Sequence, residues 1–189
     1  MNEVMLDALF AEYREMKRHA VRESDVDNDI PMLLYLGEGS MDDEQMQILC
    51  VVIPSGDKGD LCNALAACMA RQFIPYWAAV CTDGYVAKAT DFPDMVAGGL
   101  ALMFDVGDDR VQECLTITAT DNLGDMYADS VTYWYDDDGD LWFRDDQEAP
   151  VKGHSEGPLI DVLKDVCSLW GKTPAEVIST ILERTPEVN

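Results

Sequence analysis

A chain of 189 residues that is 48% hydrophobic, with four Trp, seven Tyr and five Phe, is long enough to bury a core as one domain and too apolar for general disorder. Thirteen basic residues against 37 acidic ones leave a net charge of −24, which repels nucleic-acid backbones and anionic membranes and points any charged partner to a protein with a basic surface. No apolar run approaches the roughly 18 residues of a membrane span, and charges interrupt the N-terminal stretch, so neither membrane span nor signal peptide is expected and the compartment reads as cytoplasmic.

Residues 1–20 carry Met5, Leu6, Leu9, Phe10, Tyr13, Met16 and Ala20 at helical spacing. This predicts an amphipathic helix whose apolar stripe covers its own sheet, with docking to a partner as the alternative. An acidic linker, VRESDVDND, leads to IPMLLYL and MQILCVVIP, two short branched runs that read as paired strands, with Pro31 at a strand start and GEGSMDDE between them. The Ala-rich run LCNALAACMARQF predicts a helix capped by Asp60, with Leu61, Leu65, Cys68 and Phe73 facing the core.

IPYWAAVCTDGYVAK reads as a strand broken at Asp83 and Gly84, and residues 91–104, with Gly98 and Gly99, as a loop with one short helical turn. RVQECLTITATD, MYADSVTYWYD and DLWFRD then form a predicted meander, with DNLGD as one turn and Tyr127, Val131, Tyr133 and Tyr135 on one strand face. Over 158–184, an apolar helical stripe, Gly171 as a stop, and Thr173, Pro174 and Glu176 as a capping box predict a helical hairpin. The fold class is therefore α+β, a single domain over 1–189 with a mostly antiparallel sheet across 30–146, one inserted helix and helices at both ends.

VTYWYDDDGDLWFRDD places Asp136, Asp137, Asp138, Gly139 and Asp140 between aromatic runs. The spacing departs from a calcium loop and the flanks are strand-like, so the stretch reads as a hairpin turn. Charge is concentrated around it: residues 105–156 hold 3 basic and 15 acidic residues, half the net charge of the chain. The candidate binding residues are Asp121, Asp125, Asp129, Asp136, Asp137, Asp138, Asp140, Asp145 and Asp146. Alternate strand positions about 6.7 Å apart approach the phosphate spacing of a nucleic-acid strand, so an acidic sheet can imitate a phosphate ladder. A solubilising or salt-adapted surface explains the same charge without a partner.

Other chemistry has thin support. The hairpin CSLWGKTPAEVI resembles the spacing of helix-turn-helix units, but Lys164, Lys172 and Arg184 are its only cations. His19 and His154 stand outside any zinc-ligand spacing, and no G-x-S-x-G frames a serine. Cys50, Cys62, Cys68, Cys81, Cys114 and Cys167 form no C-x-x-C pair and read as buried reduced thiols. Carboxylate pairs such as Asp83 with Asp91 or Glu113 with Asp129 keep a metal-dependent hydrolase open as the rival class, with an assembly subunit that exposes its first helix as a third. The leading expectation is a protein-binding function without cofactor or metal, in its sharpest form an inhibitor or nucleic-acid-mimicking decoy of the kind that phage and mobile elements encode.

Overall fold

The computed structural model describes residues 2–23, 30–41, 46–54, 58–87, 110–144, 151–153, 158–173 and 176. It contains helices α1 (Glu3–Glu23), α2 (Lys58–Ala70) and α3 (Pro158–Cys167) and strands β1 (Met32–Glu38), β2 (Gln47–Ile53), β3 (Trp77–Ala87), β4 (Val111–Asp121), β5 (Met126–Tyr135), β6 (Leu141–Phe143) and β7 (Val151–Gly153). All strand pairs are antiparallel, in the order β2-β1-β3-β4-β5-β6. The short β7 lies beside the start of β5 and β6 beside its end. The expected mix of helices with an antiparallel sheet is present.

Helices cover both faces of the sheet. Leu6, Phe10 and Tyr13 of α1 pack on Leu33, Tyr35, Trp77, Ala79, Cys81, Leu115, Ile117 and Val131. On the opposite face Leu61, Leu65 and Cys68 of α2 and Leu163, Val166 and Cys167 of α3 pack on Leu34, Leu36, Ile53, Ala78 and Val80. In β1 and β3 odd-numbered residues thus face α1 and even-numbered ones the α2–α3 layer, and the odd-numbered residues of β4 and β5 likewise face α1, as a period of two requires. The apolar stripe of α1 is buried against its own sheet, as its periodicity suggests.

Several local expectations change. The strand through Asp83 and Gly84 is continuous to Ala87, paired residue for residue with β4, because Asp83 finds a buried cation and Gly84 lies in register with Cys114. Gly37 belongs to β1 rather than to the following loop. A Cβ there would run into the Trp77 indole, its cross-strand neighbour, so only glycine lets that ring lie across the strand. Asp60 lies in the first turn of α2, where a carboxylate still favours the positive helix end, and not at its cap. Cys68, Cys81, Cys114 and Cys167 are buried, whereas Cys50 and Cys62 are exposed; all six are free thiols.

At the C-terminal end Gly171 takes φ 73°, and the capping box forms: the Thr173 amide donates to Glu176 Oε2 at 2.7 Å, and the Glu176 amide donates to Thr173 Oγ1 at 3.4 Å. The body of the second helix of that hairpin, the 91–104 segment, and Asp145 and Asp146 lie outside the described residues. Among the described residues no helix is long and apolar enough to cross a membrane.

Candidate functional site

The meander is closed by two turns of one design. Asp121-Asn-Leu-Gly-Asp125 joins β4 to β5, and Asp136-Asp-Asp-Gly-Asp140 joins β5 to β6. In the first, Asp121 Oδ1 accepts from the amides of Leu123 and Asp125, both at 3.0 Å. In the second, Asp136 Oδ1 accepts from the amides of Asp138 at 3.1 Å and Asp140 at 2.9 Å. Gly124 and Gly139 both stand at φ 84°, the left-handed region that glycine enters freely. The shared D-x-x-G-D pattern is thus a turn signature: its first aspartate bonds the loop and its glycine reverses the chain.

This geometry sorts the acidic residues. Asp121 is 6% exposed and is a buried turn hub, so it contributes no surface charge. Asp136 is partly shielded as the hub of the second turn; the Trp142 indole, whose Nε1 donates to its Oδ2 at 2.8 Å, together with the turn amides, holds its carboxyl below the usual range. Asp129 faces α1 and is half-buried, and burial raises its carboxyl despite the Ser130 amide and nearby Arg14. Asp125, Asp137, Asp138 and Asp140 are exposed. Asp125 lies at one end of the ten-residue β5 and the other three beyond its opposite end, about 33 Å apart along the strand. Among the described residues of this set, three of the four exposed carboxylates therefore stand at the tip of the β5–β6 hairpin, with Asp125 apart from them, and they form no ladder along β5.

Two tryptophans share that hairpin. Trp134 and Trp142 are direct cross-strand partners, 44% and 53% exposed. The Arg144 guanidinium lies 5.9 Å from the Trp134 ring centre. On the other face Tyr133, Tyr135, Leu141 and Phe143 point toward α1, where Arg14 and Arg18 both lie over the Phe143 ring. One side of the hairpin is clamped while the other presents two indoles. Alongside runs a groove of 350 Å³ lined by Val111, Gln112, Glu113, Thr132, Tyr133, Trp134, Tyr135 and Arg144.

Beneath the clamped side lies a buried ionic cluster that the sequence did not announce. Lys17 Nζ stands 2.6 Å from Asp83 Oδ2, and the two side chains are 1% and 9% exposed. The Tyr133 hydroxyl donates to Asp83 Oδ1 at 2.7 Å, with Glu113 Oε1 3.3 Å away, and Tyr135 bonds Lys17. Burial, then the Asp83 charge, drives the Tyr133 phenol far above its ordinary value. Farther along α1 the Tyr127 hydroxyl donates to Asp7 Oδ1 at 2.6 Å. The only cue was one of register: Lys17 follows Tyr13 by four positions on the apolar stripe.

A metal reading gains no geometry from these residues. Glu113 lies next to Cys114, which opposes Thr132, and Asp129 opposes Ile117, placing the two carboxylates about 13 Å apart along the sheet. Asp83 is engaged with Lys17, and Asp91 lies outside the described residues. Among the described residues no three His, Cys, Asp or Glu side chains converge as a cation site. No family model matches the chain, and it matches neither curated proteins nor solved structures.

Proposed function

We propose that this is an acidic protein-binding module that docks on a cationic surface of another protein through the tip and open face of its β5–β6 hairpin. The observation that carries the reading is the pairing of two exposed indoles, Trp134 and Trp142, with the exposed carboxylates of Asp137, Asp138 and Asp140. Tryptophan buries a large area at low conformational cost and dominates contact energies when its surroundings exclude water. Carboxylates around it draw in a lysine- or arginine-rich surface and reject an acidic one. A hairpin held from behind by Arg14, Arg18 and the Lys17 cluster presents these groups with little ordering left to be done on binding.

The contact is compact. The nine aspartates do not act together as a phosphate-like ladder in this proposal, because Asp121 and Asp136 serve their turns and Asp129 faces α1. A basic site that otherwise holds nucleic acid remains a suitable target, recognised at the hairpin tip and not along the strand.

Affinity capture from a cell lysate at low and at 0.5 M salt, with bound proteins identified by mass spectrometry, tests the reading. The expected partners are basic, are lost steeply as salt rises, and disappear at low salt with D137N/D138N/D140N or with W134A/W142A. Partners held equally by the parent and both variants would overturn it.

A further inference from the structure

At the opposite edge of the sheet from the acidic hairpin lies β2, whose sequence QILCVVI holds no charged residue and no proline. Ile48, Leu49 and Val52 are 44%, 39% and 57% exposed, and among the described residues no strand pairs with its outer edge. Edge strands ordinarily carry a lysine, a proline or a bulge that blocks further pairing. This one carries none, in a chain where 26% of residues are charged.

We propose that β2 is the interface for a second copy of this chain, pairing antiparallel across a two-fold axis near Cys50 to join the two sheets into one. The strand is complementary to itself. With Cys50 on the axis, Ile48 faces Val52 of the other copy and Leu49 faces its Val51, so apolar meets apolar over the central five residues, and the end pair of Gln47 with Ile53 brings in no charge. A charged foreign strand would find nothing in β2 to select it, whereas cationic partners are drawn to the hairpin.

The net charge of −24 does not forbid this pairing. Five strand spacings separate β2 from β6, about 24 Å, and the two acidic hairpins of a joined sheet stand twice that apart. Screening acts within about 8 Å at physiological ionic strength, so the acidic halves scarcely interact. A seven-residue pairing about 23 Å long buries less than the roughly 800 Å² per partner of a stable complex, which makes the dimer reversible. At low ionic strength, where the screening length grows to about 30 Å, the like charges of the two chains do repel, so added salt strengthens self-association while it weakens contact with a basic partner.

Sedimentation across a concentration series at low and at 0.5 M salt, combined with backbone hydrogen exchange, tests the pairing on the full chain. The expected result is a monomer of 21.0 kDa giving way to a dimer as concentration and salt rise, with exchange slowing in residues 47–53. Val52→Lys weakens the dimer by at least about tenfold by placing two lysines in an apolar pairing. Val4→Lys, at a position 78% exposed on α1, leaves it intact. Circular dichroism confirms that both variants fold. A monomer at every concentration and salt, or a dimer indifferent to Val52→Lys with unchanged exchange in 47–53, overturns the proposal. Loss of basic partners with the hairpin variants while the dimer persists separates the two surfaces.

Discussion

Lys17 and Asp83, 66 positions apart in the chain, meet at 2.6 Å and join α1 to β3 inside the protein. Truncating one partner leaves the other as an uncompensated buried charge, so Lys17→Ala is expected to cost about 3–5 kcal/mol of stability. Lys17→Met with Asp83→Asn removes both charges at similar volume and should recover most of that loss. Urea unfolding of the two single variants and the double variant measures the coupling. Additive effects would mean that the pair does not hold α1 in place.

That pair also explains what was legible beforehand and what was not. The strands and helices could be read because their periods were clear: the α1 stripe, the alternation of β5 and the turn signals all survive in the fold. Asp83 misled because an aspartate beside a glycine reads as a strand break, and only the approach of Lys17 from a distant helix makes it a core residue. β7, three residues long, is too short to leave a period. The acidic character of 105–156 was plain in composition, but whether an aspartate is a turn hub or a surface charge depends on where its oxygens point. Asp121 and Asp137 look alike in sequence and behave as opposites.

Alkaline pH should unfold this protein. Burial pushes the thiols of Cys81, Cys114 and Cys167 from 9.0 up to about 12, and it raises the phenols of Tyr13, Tyr35 and Tyr133 as well. These groups stay protonated in the fold after they would ionise in the unfolded chain. Their contribution is therefore complete below pH 9 and is lost as pH rises from 9 through 12. Each thiol ionised only when unfolded costs about 1.4 kcal/mol per pH unit. Thermal melts from pH 7 to 11 should show Tm flat at first and then falling with growing slope, and Cys114→Ser with Cys167→Ala should make the fall shallower.

Gly37 and Trp77 form a second point of close fit, where the indole lies across the strand and its Nε1 donates to Met46 Sδ at 2.9 Å. Gly37→Ala forces the buried ring or the strand to move, which is expected to cost about 1–3 kcal/mol. Gly84→Ala is the control, since nothing lies within 4 Å of its added methyl group. Chemical denaturation should rank Gly37→Ala well below Gly84→Ala, and equal midpoints would show that the indole has room to spare.

The two aspartate hubs, Asp136 and Asp121, hold turns of one design but differ in their own burial. Asp136 accepts two turn amides and the Trp142 indole, so Asp136→Ala should release the turn and let Trp142 swing free, read as a red shift of tryptophan emission and faster exchange of the Asp138 and Asp140 amides. D137N/D138N/D140N removes more charge and should change neither. Because the Asp136 carboxyl is held below its ordinary value of 3.8, its support is present above pH 3.8 and is lost as pH falls through the lower folded value. The emission shift should accordingly appear on acidification in the parent chain and be absent from Asp136→Asn, where no carboxyl titrates. At the twin turn the Asp121 side chain is buried, and Asp121→Ala removes the carboxylate that accepts from the Leu123 and Asp125 amides, a loss of about 1.5–3 kcal/mol in global stability. A local effect at Asp136 and a global one at Asp121 are what one turn design produces when it is placed first at the surface and then in the core.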